Sequence, residues 1–436
     1  MVSVKEAEKI LSACSQMHVL KYYDALNGTQ KKNLLRQISK IDPAEVNRCV
    51  SMLSRKAKSV STKSALAPKV AVLKGKARLN AVKIGEKELR SGKVAALLVA
   101  GGQGSRLGYE GPKGSYPIGP VSNKPIFYFH ARKILAQEIR YGAAIPLYIM
   151  TSEANDSPTR KCFADNSYFG LDKKNVFFFR QGMWPGVDKS GKIILDGKDH
   201  IFMSPDGHGG LLAALKNSGA LADMKRRNIK HVFFFQVDNP LVEIADSAFV
   251  GYHVLQKSEY TLKLCEKSDP YEKVGVPMRI GGKYRMVEYS EMTKKDCEKR
   301  LNGVLYHRYG SPAIHVFDRA FLEREADKNM PLHLAFKKIP TLDENGKKAV
   351  PSEPNGYKFE KFIFDLMPNA RKVAFMAFDT KDEFSPVKNA TGDDSPDSCK
   401  RDMMNKWRKQ LKSRGIEIAE QSVFEVDEAT LITGGK

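Results

Sequence analysis

The run Leu97-Leu98-Val99-Ala100-Gly101-Gly102-Gln103-Gly104-Ser105-Arg106-Leu107-Gly108, continued by Gly111-Pro112-Lys113-Gly114, carries glycines straight out of an apolar segment. Glycines after a buried strand let backbone approach a ligand closely and aim N–H groups at it. Arg106 and Lys113 flank the same turn. An arginine fork suits a bidentate grip on phosphate oxygens, and a lysine supplies a point charge. The loop fits neither the dinucleotide Gly-x-Gly-x-x-Gly register nor a Walker A motif. On its own it is either a phosphate cradle or simply a turn. Asp238 ends a second apolar run, Val232–Val237. There it would either cap a helix or supply a carboxylate to a hard cation. Cys14, Cys49, Cys162, Cys265, Cys297 and Cys399 are scattered without ligand spacing, which argues for free thiols rather than zinc or disulfides.

These residues need a frame. The apolar runs at Val94–Ala100, Pro146–Thr151, Val176–Arg180 and Val232–Val237 alternate with helical periodicity at Ile126–Ile139 and Leu211–Arg226. That alternation predicts an α/β fold with a mostly parallel, Rossmann-like sheet flanked by helices, and ligands belong at the carboxyl ends of such strands. Two hairpins interrupt it, around Asp188–Gly191 and at Gly281-Gly282. Small amphipathic helices are expected before residue 55, one beginning at Asp42-Pro43-Ala44-Glu45 and an earlier one ending at Asn27-Gly28. Phe359, Phe362, Ile363 and Leu366 fall at i, i+3, i+4 and i+7, predicting a helix, and the last 40 residues suggest a helix plus short strands. The chain divides as a helical N-terminal region and basic connector (1–92), a catalytic domain (93–381) and a small α+β C-terminal region (382–436).

A chain of 436 residues with 42% hydrophobic and 28% charged residues builds two or three packed regions. No apolar run approaches the roughly 20 residues that a membrane helix needs. The N-terminus lacks an apolar signal core, so a cytoplasmic location is expected. The net charge of +22 raises nucleic-acid binding, but the basic stretch Arg55–Lys93 lacks the aromatic residues that stack on bases. It reads as a solvated connector, and nucleic acid is not an expected partner. Oligomeric state is not legible.

The segment Ala100–Gly108 with Pro112-Lys113 resembles the signature of the eukaryotic UDP-N-acetylhexosamine pyrophosphorylases. The likeness continues through Phe179-Arg180-Gln181-Gly182-Met183, Ser204-Pro205-Asp206-Gly207-His208-Gly209-Gly210 and Val237-Asp238-Asn239. It persists in Val287-Glu288-Tyr289-Ser290-Glu291, Pro354-Asn355-Gly356 with Glu360-Lys361-Phe362, and Glu383–Asn389. The resemblance implies a nucleotidyltransferase that joins UTP to N-acetylglucosamine 1-phosphate and releases pyrophosphate. By it, Gly101, Gly102, Gln181 and Gly207 meet the nucleotide, with Gln181 reading uracil. Arg106 and Lys113 neutralise the triphosphate, Lys388 holds the attacking phosphate, and Asp238 holds Mg²⁺. His208, Gly275, Glu288, Ser311, Phe362 and Phe364 surround the sugar.

Two positions depart from the family pattern. His208 stands where Asn is usual, and Ser311-Pro312 replaces a common Gly-Asn. A glucose-preferring or broad-specificity uridylyltransferase is therefore the alternative. A non-catalytic nucleotide-sugar or polyanion-binding protein is a second one.

Overall fold

A computed structural model describes residues 2–54, 62 and 64–433. Part of the basic stretch, residues 55–61 and 63, lies outside the described residues. The chain forms two compact units: Met1–Ser59 with Gly182–Leu211 and Asn329–Ile363, and Val60–Gln181 with Leu212–Lys328 and Phe364–Lys436. This differs from a division at 92/93 and 381/382. The smaller unit is assembled from three separated segments that share one core, a relation that reading in chain order does not reveal.

The larger unit is built on a seven-stranded sheet of β1 (Val94–Val99), β2 (Leu147–Thr151), β3 (Val176–Arg180), β4 (His231–Gln236), β5 (Tyr260–Glu266), β6 (Tyr309–Asp318) and β7 (Val373–Ala377), in the order β7-β5-β6-β4-β1-β2-β3. β1 is parallel to both β2 and β4, and β2 to β3. β6 runs antiparallel to β4 and β5, while β5 and β7 are parallel to each other. The expected mostly parallel α/β sheet is therefore present, with one reversed strand. β1, buried but for its last residue, reads Val-Ala-Ala-Leu-Leu-Val, the continuous apolar texture of a strand covered on both faces. From β1 the chain builds outward through β2 to β3, then returns to place β4 on the other side of β1. The strand order reverses there, so the carboxyl ends of β1 and β4 form the crevice where such sheets bind ligands.

Much of the basic stretch read as a connector is helical: α1 spans Gly75–Arg90 and buries Ala81, Gly85 and Leu89. It packs against α2 (Ser247–Gln256) at backbone contact distance. A Cβ on Gly251 would lie 1.8 Å from the Ala81 carbonyl oxygen, and one on Gly85 equally close to that of Ser247. Lysine and arginine counts do not expose such a seam, because the charged residues occupy the solvent face. Gly251→Val is expected to destabilise the protein by about 3 kcal/mol or more, the upper range of overpacking, since backbone cannot move aside. A denaturant midpoint equal to the wild type would contradict the close packing.

In the smaller unit, helices Val4–Ser12, Gly28–Ile38 and Pro43–Leu53 bury Leu11, Leu34, Ile38 and Val46 with Trp184, Ile201 and Phe359. Asp42 caps the third helix, its Oδ1 accepting from Ala44 N at 2.9 Å, as the sequence predicts. Asn27-Gly28 begins a helix instead of ending one. Asn27 Oδ1 accepts from Gln30 N and Gln30 Oε1 accepts from Asn27 N, both at 3.0 Å, a reciprocal cap.

Two further expectations change. The helix expected from Phe359 is a strand, Gly356–Glu360, paired with His333–Lys337, and a 3₁₀ segment containing Pro368 follows over Ile363–Asn369. Only Phe359 of the four apolar residues lies in that strand, and its pairing with Leu334 overrode the helical spacing. The first expected hairpin forms around Asp188–Gly191, with Asp188 N donating to Lys192 O at 2.8 Å and Ile194 N to Gly186 O at 2.9 Å, and Val187–Asp188 also pairs with Gly356-Tyr357. The second forms as predicted, Val276–Ile280 against Lys283–Val287. Beyond residue 382 the described residues form the helices Pro396–Lys412 and Glu428–Ile432 without the expected strands. No helix among the described residues is long and apolar enough to cross a membrane.

Candidate active site

The glycine loop leaves the carboxyl end of β1 and folds back on itself. Gly104 N donates to Gly111 O at 2.9 Å and Lys113 N to Gly102 O at 3.0 Å. The buried Asn155 fixes the loop from below, its Nδ2 donating to Ala100 O at 2.8 Å and Gly102 O at 3.2 Å. This leaves Gly102, Gln103 and Arg106 exposed, while Lys113 turns inward, its side chain only 16% exposed. Gln181 leaves the end of β3 with its N–H on Thr151 O, and its side chain lies against Gly101. A Cβ at that glycine would sit 2.9 Å from Gln181 Nε2. The close approach that requires glycine thus places an amide carrying both donor and acceptor beside the loop.

Asp238 follows β4 on the other side of the switch point. Its carboxylate stands 4.0 Å from Lys113 Nζ. Its carbonyl accepts from Val387 N at 2.7 Å, and Asn239 grips the same segment, donating to Glu383 O at 2.7 Å and accepting from Ser385 N at 3.0 Å. These bonds bring Lys388 to the site although 150 residues of sequence separate it from Asp238. Lys388 N donates to Asp394 O, and its Nζ lies 3.4 Å from Asp394 Oδ2 and 5.4 Å over the Phe384 ring. Gly101, Gly102, Arg106, Lys113, Gln181, Asp238 and Lys388 therefore all belong to one unit.

Gly275, Glu288 and Ser311 also converge in that unit. Ser311 N donates to Gly275 O at 2.9 Å, and a Cβ on Gly275 would meet Glu288 Oε1 at 3.4 Å. Phe364 begins the third segment of the same unit. The remaining sugar candidates, with Gly207, lie in the smaller unit. Gly207 has φ +79° and approaches the Lys361 backbone too closely for any Cβ. The His208 ring stacks on Phe362 (centroids 5.3 Å apart, 26° between planes), and Phe362 also meets His333 at 4.4 Å. His208 Nδ1 accepts from Ile363 N at 3.1 Å. Burial pushes the His208 pKa down to about 4, so at neutral pH the ring is uncharged with its proton on Nε2.

Asp206 is buried beneath this loop, and burial pushes its carboxyl up to about 6. The sign follows from proton binding. Between the unfolded carboxyl value and about 6 the folded state holds the extra proton, so stability falls as pH rises through that window. Asp206→Asn is expected to remove on the order of 2 kcal/mol of that fall. Parallel pH–stability curves for variant and wild type between pH 4 and 7 would refute it.

Asn155, Asn239 and Asp394 position the site and were not predicted. Asn239 sat within the Val237-Asp238-Asn239 motif as a visible signal; Asn155 had none, because its partners are backbone atoms of the distant glycine loop, and Asp394 lay in a polar loop whose turn toward Lys388 its residue types do not mark.

A glycine loop at the switch point, a carboxylate across from it and cations on both define the nucleotide-binding class of α/β proteins. Comparison narrows this: the UTP–glucose-1-phosphate uridylyltransferase family matches residues 44–398, and the chain belongs to that family. It is 38% identical to a probable UDP-N-acetylglucosamine pyrophosphorylase of Dictyostelium discoideum, over 96% of this chain and 92% of that one. It is 37% identical to the UDP-N-acetylglucosamine pyrophosphorylase of Saccharomyces cerevisiae, over 79% and 75% of the two chains. The crystal structure of the uridine diphosphate N-acetylglucosamine pyrophosphorylase from Trypanosoma brucei in complex with inhibitor superposes with a TM-score of 0.83 at 28% identity, covering 95% of this chain and 86% of that one.

Proposed function

We infer that this protein is a UTP:N-acetylglucosamine-1-phosphate uridylyltransferase, making UDP-N-acetylglucosamine and pyrophosphate. The observation that carries the reading is the convergence of Lys113, Asp238 and the Lys388 segment at the carboxyl ends of β1 and β4. Relatives named as pyrophosphorylases of this sugar nucleotide align along nearly the whole chain and supply the substrate class.

The chemistry needs no general base. A sugar 1-phosphate is mostly dianionic at neutral pH, since the second pKa of a phosphate monoester is about 6. One of its oxygens attacks the α-phosphorus of UTP in line, and the bond to the β-phosphate bridging oxygen breaks to release pyrophosphate. The barrier lies in bringing two polyanions together and stabilising the departing charge. Arg106 and Lys113 meet the triphosphate, Lys388 orients the attacking phosphate, and Gln181 selects the base. The donor set at Asp238, one carboxylate beside a cation with phosphate oxygens to come, fits Mg²⁺, which binds through one or two carboxylates and keeps its waters. When bound there, Mg²⁺ supplies further charge neutralisation on the phosphates.

His208 stands where the family usually has Asn, yet its neutral ring presents an Nε2–H donor, as the Asn amide would. The acetamido sugar is therefore compatible with this position. We also place the protein in the cytosol, since five of its six cysteines are buried thiols suited to a reducing compartment. The test is pyrophosphate release from UTP and Mg²⁺ with N-acetylglucosamine 1-phosphate or glucose 1-phosphate. A strong preference for the former is expected. A glucose preference would make His208 and Ser311 specificity determinants, and release with neither would return the binding-protein reading.

A further inference from the structure

We propose that His231, His253 and Asp318 form a second cation site, selective for zinc, at the end of the sheet opposite the catalytic crevice. His231 opens β4, Asp318 closes the antiparallel β6 alongside it, and His253 projects from α2 packed nearby. Asp318 Oδ1 lies 3.1 Å from His253 Nε2 and 3.5 Å from His231 Nδ1, and all three donor atoms fall within 4.8 Å of one another. Donors bound at about 2.0–2.1 Å around a tetrahedral zinc ion are roughly 3.3 Å apart, close to the 3.1 and 3.5 Å that separate Asp318 Oδ1 from the two ring nitrogens.

The simpler arrangement, a hydrogen-bonded His–Asp–His chain, is uneven in its two contacts. His231 is buried to 9% exposure, and its Nδ1 stands 3.5 Å from Asp318 Oδ1, too far for a well-formed hydrogen bond, against 3.1 Å for His253 Nε2. A buried ring nitrogen so loosely held is open to a stronger partner. A cation between the three donors supplies one.

The surroundings match those of metal-bound imidazoles, whose second nitrogen is held by an oxygen that fixes the ring. His253 Nδ1 is 2.8 Å from Thr261 Oγ1. His231 Nε2 faces Glu88 Oε2 at 3.6 Å, and that carboxylate pairs with Lys93 at 3.3 Å. The two rings meet edge to face with centroids 5.2 Å apart. The Asp318 side chain is 38% exposed, which leaves a fourth position open to water. Two imidazoles and one carboxylate favour zinc over magnesium, which takes oxygen donors.

This site is not the one at Asp238. His231 and Asp238 stand at opposite ends of the same extended run, roughly 23 Å apart at strand rise. Bound zinc would tie α1, through Glu88, to α2, β4 and β6, and so act on stability rather than on uridylyl transfer.

The test uses the full-length protein without a histidine tag, titrated with Zn²⁺ alone against a chromophoric chelator, with thermal unfolding followed in parallel. One zinc per chain, a raised Tm and no competition from excess Mg²⁺ are expected. Asp318→Asn and His231→Gln should each weaken zinc binding about 100-fold or more, and Glu88→Gln about 10-fold, the range seen when orienting partners are lost. His231→Gln sits at the edge of the core and guards against a folding failure, checked by circular dichroism without zinc. Absence of stoichiometric binding, or zinc affinity unchanged in all three variants, would overturn the proposal.

Discussion

Asp238→Asn is expected to lower Mg²⁺-dependent turnover by about three orders of magnitude or more, some 4 kcal/mol of transition-state stabilisation. The substitution keeps size and shape while removing the charge that faces Lys113 at 4.0 Å. The main-chain bond from Val387 N to Asp238 O does not depend on the side chain, so the Lys388 segment stays docked and Tm should stay close to that of the wild type. Loss of activity together with loss of fold would therefore point to a structural role. A well-folded variant with near-normal rates would remove Asp238 from the reaction altogether.

Arg106→Ala is expected to reduce kcat/KM by a factor corresponding to about 2–4 kcal/mol, the scale of removing one electrostatic donor from a phosphoryl or acyl transfer site. The loop should keep its form, because backbone bonds from Gly104 and Lys113 and the Asn155 amide hold it, and Arg106 itself is exposed. A fall in kcat with unchanged nucleotide affinity would mean that the guanidinium acts mainly on charge that develops as pyrophosphate departs. Full activity would end the assignment of this loop to the triphosphate.

How much was legible depended on the range of the interaction involved. The strands at Val94, Pro146, Val176 and Val232 could be read because each is a short apolar run bounded by turn residues. The glycine loop could be read because glycines directly after an apolar run mark a strand end where backbone is closely approached, as Gln181 approaches Gly101. The Phe359 segment was misread because helical spacing over four apolar residues is a local signal, and pairing with His333–Lys337 overrode it. The basic stretch was misread for a related reason. Its lysines and arginines describe the exposed side of α1, whereas Gly85 and Ala81 describe the side that packs.

By itself the sequence determined the class of sheet, the glycine loop after its first strand and the chemical identity of each group proposed to meet the substrates. These are local properties: side-chain type, backbone freedom and the period of apolar residues. Only the tertiary structure decided that the segment before Lys388 docks on Asp238, that Gln181 lies on Gly101, and that His231, His253 and Asp318 meet. Each of those depends on backbone hydrogen bonds and packing between segments distant in the chain, and no residue's type records its future neighbour.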